Sequence, residues 1–279
     1  MKHQFKLYFL ALLFFTTSLS SCSIVDSVCK DGTGSVITEE RIITGFSALE
    51  SKGSFTVHLF QDASITTQEV TVSAQESIID LIETTLVGQT LVIDTDECYN
   101  TKEDVVISIR TPALSQIILN GSGDIIFQDT IRKSEIEIVL NGSGNISTSP
   151  SFPIIASTSC FVKLQGSGNV ELEFDATTVV SAVLDGSGTM ILRGEAIQNN
   201  LYVNGSGKLK AFDLPVLRNT TELLGSGLIE LTANDPNATP TTSTAEVNAQ
   251  LSGSGTIQIK GNANLNSKIS GSGKIERVE

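Results

Sequence analysis

Along most of the chain apolar and polar residues alternate with a period of two. In the stretch 164–174 one parity holds Leu164, Gly166, Gly168, Val170, Leu172 and Phe174, and the other Gln165, Ser167, Asn169, Glu171 and Glu173. The same split separates Leu119, Gly121, Gly123, Ile125 and Phe127 from their neighbours, and Leu251, Gly253, Gly255, Ile257 and Ile259 from theirs. A period of two marks strands with one buried face. The pattern therefore predicts strands whose apolar residues and both glycines point inward while the serine points out, provided the strand stays regular through the motif. The tripeptide Gly-Ser-Gly is itself repeated, starting at Gly121, Gly142, Gly166, Gly186, Gly205, Gly225, Gly253 and Gly271. These eight copies use 16 of the 23 glycines, so the glycine content follows from a repeat of about 20 residues and not from a flexible linker. The longest interval holds a polar, Pro-containing tract, 234–244, which reads as a surface loop inserted into one repeat.

Chain length limits the topology. The run Glu135 to Ser147 would extend about 43 Å if straight, and the remaining eight or so residues of a repeat reach at most about 28 Å. A straight strand with a parallel return does not close, so the run must bend. Glycine tolerates such bends, which places a corner at Gly-Ser-Gly once per coil. The expected fold is all-β: a right-handed parallel β-helix, or solenoid, with coils of about 20 residues, eight of which make a rod of roughly 35 to 40 Å. An antiparallel β-meander is the alternative, with loops of about eight residues at nearly every turn. Stacked corners would make an outward column of short polar residues that includes Asn120, Ser122, Asn141, Ser143, Ser167, Ser187 and Ser206. Such a column is either a set of hydrogen-bonded ladders between coils or a flat ribbon for a repetitive ligand such as a glycan. Leu224 and Leu228 interrupt it in the sixth copy. The preceding segment, 40–114, also reads as β and runs into 115–279 without a linker, capping or continuing the solenoid. A short helix is expected within it at 76–84.

The N-terminus has another character. Lys2, His3 and Lys6 precede an apolar run from Leu7 to Phe15, too short to span a bilayer. Leu19-Ser20-Ser21-Cys22 resembles a bacterial lipobox, which implies a signal peptide over 1–21 and acyl chains on Cys22. Ser23 rather than Asp follows the cysteine, so lipid anchoring in the outer membrane is expected, with the periplasmic or extracellular face left open. Residues 22–39 would then be a flexible tether. Cys29, Cys98 and Cys160 remain after lipidation, in an oxidising compartment. Cys29 with Cys98 is the first disulfide to test, since Cys160 lies in an apolar strand pattern; three free thiols is the equal alternative.

Charge and composition exclude several functions. With 18 Lys plus Arg against 31 Asp plus Glu, the net charge is −13, which disfavours nucleic-acid binding. Of the two histidines, His3 lies in the leader and only His58 remains, so a multi-histidine metal site is excluded and no metal or other cofactor is expected. Asp94, Asp96, Glu97, Glu103 and Asp104 cluster near Cys98, as a solvated loop or a weak calcium site. A polysaccharide-cleaving β-helix would need paired carboxylates, and Asp124 or Glu171 with Glu173 are the residues at hand. The expected end of the solenoid would expose unpaired strand edges, which makes self-association a further expectation.

Arg41-Ile-Ile-Thr-Gly-Phe-Ser-Ala-Leu-Glu50, Gly53-Ser-Phe-Thr-Val57, Gly88-Gln-Thr-Leu-Val-Ile93 and Pro112-Ala-Leu-Ser-Gln-Ile-Ile-Leu-Asn-Gly-Ser-Gly123 occur in this order before the repeated strands. Over residues 40–279 this resembles the family described as "putative auto-transporter adhesin, head GIN domain", found in envelope lipoproteins and secreted proteins of Gram-negative bacteria. The resemblance implies a β-helical domain and adhesion, and carries no catalytic residues. The resulting expectation is a non-enzymatic envelope lipoprotein that is anchored in the membrane and binds a glycan or a protein at the surface. A polysaccharide-binding or polysaccharide-cleaving β-helix protein is the alternative.

Overall fold

The computed structural model describes residues 29–234 and 244–279. The leader, the lipidation residue Cys22 and most of the inserted tract lie outside these residues. The described chain is all-β, with a single three-residue 3-10 turn at Ile79–Leu81.

The repeats pair side by side in parallel. Gln116–Gly121 lies beside Ile131–Gly142, with Leu119 opposite Leu140 and Gly121 opposite Gly142. The register continues through Gly166, Gly186, Gly205, Gly225 and Gly253. Strands after the motif pair likewise, from Asp124–Phe127 to Lys274–Val278. Each repeat thus bonds to the repeats before and after it, and the antiparallel meander is not how they associate.

The motif owes its glycines to this stacking. At each copy before the last the ladder breaks for two residues and the chain bends. The carbonyl of the first glycine then accepts two donors from the next repeat. The N–H groups of Ser187 and Gly188 both reach Gly166 O at 3.0 Å, and Thr189 N reaches Gly168 O at 3.0 Å. A Cβ added at Gly188 would stand 2.5 Å from Gly168 O and 2.8 Å from Leu164 Cδ2. Gly186 has φ +133°, a conformation that disfavours a side chain. The two glycines do not share one face, contrary to the alternation. Gly188 is buried while Gly186 is partly exposed, because the strand does not stay regular through the bend. Beside this corner Leu119, Leu140, Leu164, Leu184, Val203 and Leu223 fill the interior, aligned from repeat to repeat. Two buried asparagines share that interior, with the Asn219 amide donating to Asn199.

The N-terminal segment joins the same stack. Ala48–Gly53 and Thr56–Gln61 flank Gly53-Ser54-Phe55, a copy with phenylalanine in place of the second glycine, and Gly53 lies opposite Gly121. On its other side lie Thr90–Thr95 and Val106–Thr111, again parallel. Order in space therefore departs from order in sequence: 90–111 comes first, 48–61 second and 116–127 third. Beyond them the pairing turns antiparallel, with Val36–Arg41 on Glu69–Gln75, Glu69–Gln75 on Val106–Thr111, and Ile82–Val87 on Thr90–Thr95. Such strands cover a parallel edge that would otherwise template further pairing.

Two expectations are corrected here. The helix at 76–84 is the 3-10 turn followed by a strand, because Ile82, Thr84, Thr85 and Val87 are β-branched and form a hairpin around Gly88. The tether is not loose to residue 39. Lys30–Asp31 pairs with Tyr99–Asn100, and Val36–Arg41 is a strand because it finds an open edge on Glu69–Gln75. A disulfide joins Cys29 to Cys98, Cα to Cα 4.7 Å. Among the described residues Cys160 is the free thiol; it is fully buried, and burial pushes its pKa far above the usual thiol range.

One side chain sutures this N-terminal region. Gln68 Oε1 accepts from Gly45 N at 2.6 Å and Phe46 N at 3.1 Å, while its Nε2 donates to Phe46 O at 2.7 Å and to Thr111 Oγ1 at 2.8 Å. Gln68→Ala removes all four bonds. It should cost about 2 kcal/mol, or roughly 4–8 °C in a thermal melt followed by circular dichroism.

Candidate binding face

The outward residues around the corner form three kinds of row. The serines stand at the bend, and Ser122, Ser143, Ser167, Ser187 and Ser206 are all exposed. Neighbouring hydroxyls approach one another, Ser143 to Ser167 at 3.3 Å and Ser206 to Ser226 at 3.1 Å.

On either side of the serines run amide ladders. Before the bend, Asn141 Nδ2 donates to Asn120 Oδ1 at 2.7 Å, and Asn120 Nδ2 donates to Glu50 Oε1 at 2.7 Å. After the bend, Asn169 donates to Asn145 at 2.9 Å and Asn145 to Asp124 at 2.7 Å. Each ladder ends at a carboxylate on the N-terminal side, the acceptor-only group that a row of donating amides requires. The first stops at Asn141, whose Oδ1 is buried without a donor. Asn120 and Asn141 are therefore already engaged with each other, whereas the serines stay open to solvent.

The third row was hidden from the alternation. Two residues before the amide row, the outward positions in successive repeats are Ile118, Val139, Lys163, Val183 and Tyr202. Phe161 lies two residues farther back, beside Lys163. The apolar members are half-buried, and Tyr202 is 38 % exposed. The signal was present as consecutive apolar pairs, Ile117-Ile118 and Ile138-Val139, which break strict alternation. Lys163 interrupts the row and pairs with Asp185 at 3.9 Å. Farther along, Leu224 borders a depression of about 200 Å³ with Glu222, Gln250 and Lys268.

The carboxylates singled out for cleavage chemistry lie on the strands beyond the bend. Arg193 lies against Glu171, 3.5 Å from Glu173 and 3.9 Å from Asp213. The Glu171 contact drives the guanidinium still further above its usual pKa. Asp124 is occupied by the Asn145 amide. His58 stands outward between Ser108 and Ile126, with no carboxylate beside it in register. Of the acidic cluster near Cys98, Asp94 pairs with Lys52 at 3.7 Å. Asp96 hydrogen-bonds Glu83, which holds the Glu83 carboxyl above its ordinary range. Among the described residues no three His, Cys, Asp or Glu side chains are grouped to hold a metal, and no helix is long and apolar enough to cross a membrane.

Several solved structures are similar. A "putative adhesin" from Parabacteroides merdae superimposes with a TM-score of 0.78 at 19 % identity, covering 89 % of this chain and 98 % of that one. A "putative lipid binding protein" from Parabacteroides distasonis gives 0.75 at 25 % identity, covering 89 % and 99 %. A "putative adhesin" from Bacteroides fragilis gives 0.61 at 19 %, with the same coverage as the second. No curated protein matches the sequence. The sequence profile of one family matches residues 45–243, and the chain belongs to that family, "putative auto-transporter adhesin, head GIN domain".

Proposed function

We propose that the chain is a lipid-anchored, non-catalytic adhesin of the outer membrane whose repeats wind as a right-handed parallel β-solenoid and present one long face to a glycan. One observation carries this reading. An apolar row and rows of amides and hydroxyls run parallel along the same face, in register over successive repeats. Sugar rings offer the matching pair of surfaces, a C–H face and an edge of hydroxyls. The winding is supported by parallel pairing at a step of about 20 residues with one bend per repeat, and its hand by the crossover rule. The anchor rests on the lipobox-like Leu19-Ser20-Ser21-Cys22. Adhesion agrees with the family's description, and the engagement of Glu171 and Glu173 by Arg193 favours binding over cleavage.

The test is an array of glycans and matrix proteins probed with the purified chain and with Tyr202→Ala, together with protease treatment of intact cells. The expected result is a glycan signal that Tyr202→Ala weakens, with no product released from the bound glycan. An array without signal, or soluble oligosaccharides appearing over time, overturns the reading. Digestion of the chain on intact cells places it on the extracellular side, and protection places it on the periplasmic side.

A further inference from the structure

A second site lies where spatial order and chain order part. Val106–Thr111, Thr56–Gln61 and Asp124–Phe127 run side by side, with Phe60 opposite Arg110 and Leu59 opposite Phe127. Just past these residues the three chains leave in different directions. Asp62 leads to Glu69–Gln75, Pro112 crosses to Gln116–Gly121, and Gln128 leads on to Ile131–Gly142. A cleft of about 660 Å³ opens between the three exits. Its cause is the one that opens crevices in other sheets where connections diverge.

The cleft concentrates both signs of charge. Arg110 and Arg132 line it together with Asp62 and Asp129. The Arg110 guanidinium lies 5.0 Å over the Phe60 ring, 3.7 Å from Glu69 and 3.9 Å from Asp62. These contacts orient it without taking up its donors. The Asp62 carboxylate is held below its ordinary range, chiefly by the Ser64 hydroxyl at 2.5 Å and then by the Ser64 N–H at 2.9 Å. Among the described residues no ion pair engages Arg132 or Asp129. Gln61 Nε2 donates to Arg132 O at 2.9 Å, which fixes the backbone that carries this arginine, and Gln61 Oε1 is buried without a donor.

We propose that this cleft binds a carboxylate-bearing sugar of the uronic-acid class. Arg132, with Arg110 beside it, takes the carboxylate in the forked geometry that guanidinium offers. Asp129 accepts from ring hydroxyls, and the C–H face of the ring lies on Pro112 and Ala113. The site stands apart from the repeat face and does not depend on it.

The test is isothermal titration of the purified chain with D-glucuronate and, separately, with D-glucose. The same titrations are run on Arg132→Gln, Asp129→Asn and, as a control remote from the cleft, Lys210→Gln. Glucuronate should bind at least about tenfold more tightly than glucose. Arg132→Gln should abolish that preference, Asp129→Asn should weaken both sugars, and Lys210→Gln should match the parent. Absence of glucuronate binding at millimolar concentration, equal binding of the two sugars, or an unchanged Arg132→Gln overturns the proposal. A chain silent on the glycan array that still binds glucuronate sinks the face reading alone; a chain positive on the array that ignores glucuronate sinks only this one.

Discussion

Gly188→Ala should destabilise the chain by about 3 kcal/mol or more, whereas Ser187→Ala, one residue away, should change stability by less than about 0.5 kcal/mol. The two substitutions differ only in what the changed atom meets. At position 188 a methyl group runs into Gly168 O at 2.5 Å and Leu164 Cδ2 at 2.8 Å. The carbonyl cannot retreat, because it accepts Thr189 N at 3.0 Å. The serine side chain is exposed and its backbone bonds survive truncation. In a thermal melt the glycine variant should lose about 6–12 °C. The damage should also be local, since each repeat rests on its immediate neighbours. Hydrogen exchange should show lost protection in Asn169–Gly186 and Thr189–Gly205, with Val106–Thr111 unaffected. A Gly188→Ala chain that melts with the parent would mean that the repeats do not approach as closely as the hydrogen bonds at Gly166 and Gly168 require.

The same residues show how much of the fold was legible in the sequence. Leu164, Gly168, Val170 and Leu172 announce a buried face because strand periodicity is local, and the spacing of the bends follows from counting between them. Which strand lies beside which is not local. Gly53-Ser54-Phe55 belongs to the stack, yet a single phenylalanine in place of glycine hides it from a search for the tripeptide. That 90–111 precedes 48–61 in space leaves no mark on either segment's alternation. Residues 36–39 fall at the end of the expected tether, yet they open the strand Val36–Arg41, whose charged Glu39 and Glu40 are of the kind an edge strand often carries. On the candidate face the serines were legible, being the polar parity of the repeat. The carboxylate Glu50 that heads the Asn120 ladder was not, since it lies 70 residues upstream. The cleft at Arg132 was equally hidden, because it is made by a chain crossing and not by any motif.

Breaking the Cys29–Cys98 bond, by reductant or by replacing both residues with alanine, should cost about 4 kcal/mol. The bond closes a span of 69 residues, and the loss of chain entropy that such a closure imposes on the unfolded state has that size. The melt should fall by about 8 °C or more. The consequence in the folded chain should be confined to its start. Lys30–Asp31 is an exposed two-residue strand tied by Lys30 N to Cys98 O at 3.0 Å, Gly32 N to Asn100 O at 2.7 Å, Asn100 Nδ2 to Asp31 Oδ1 at 3.0 Å and Ser77 Oγ to Asp31 O at 3.1 Å, solvent-accessible bonds that should not hold it once the covalent link is gone. Val36–Arg41 pairs over six residues with Glu69–Gln75, reinforced by the Thr38 and Ser73 hydroxyls at 2.7 Å, and should stay in place. Trypsin should therefore cut after Lys30 in the reduced chain and not in the oxidised one, while Arg41 remains protected in both. Cys160 should not confuse the result. It is fully buried with its thiol held protonated, so a Cys160→Ala chain should respond to reductant as the parent does. A melt and a tryptic pattern indifferent to reductant would show that the first strand is held by its neighbours alone.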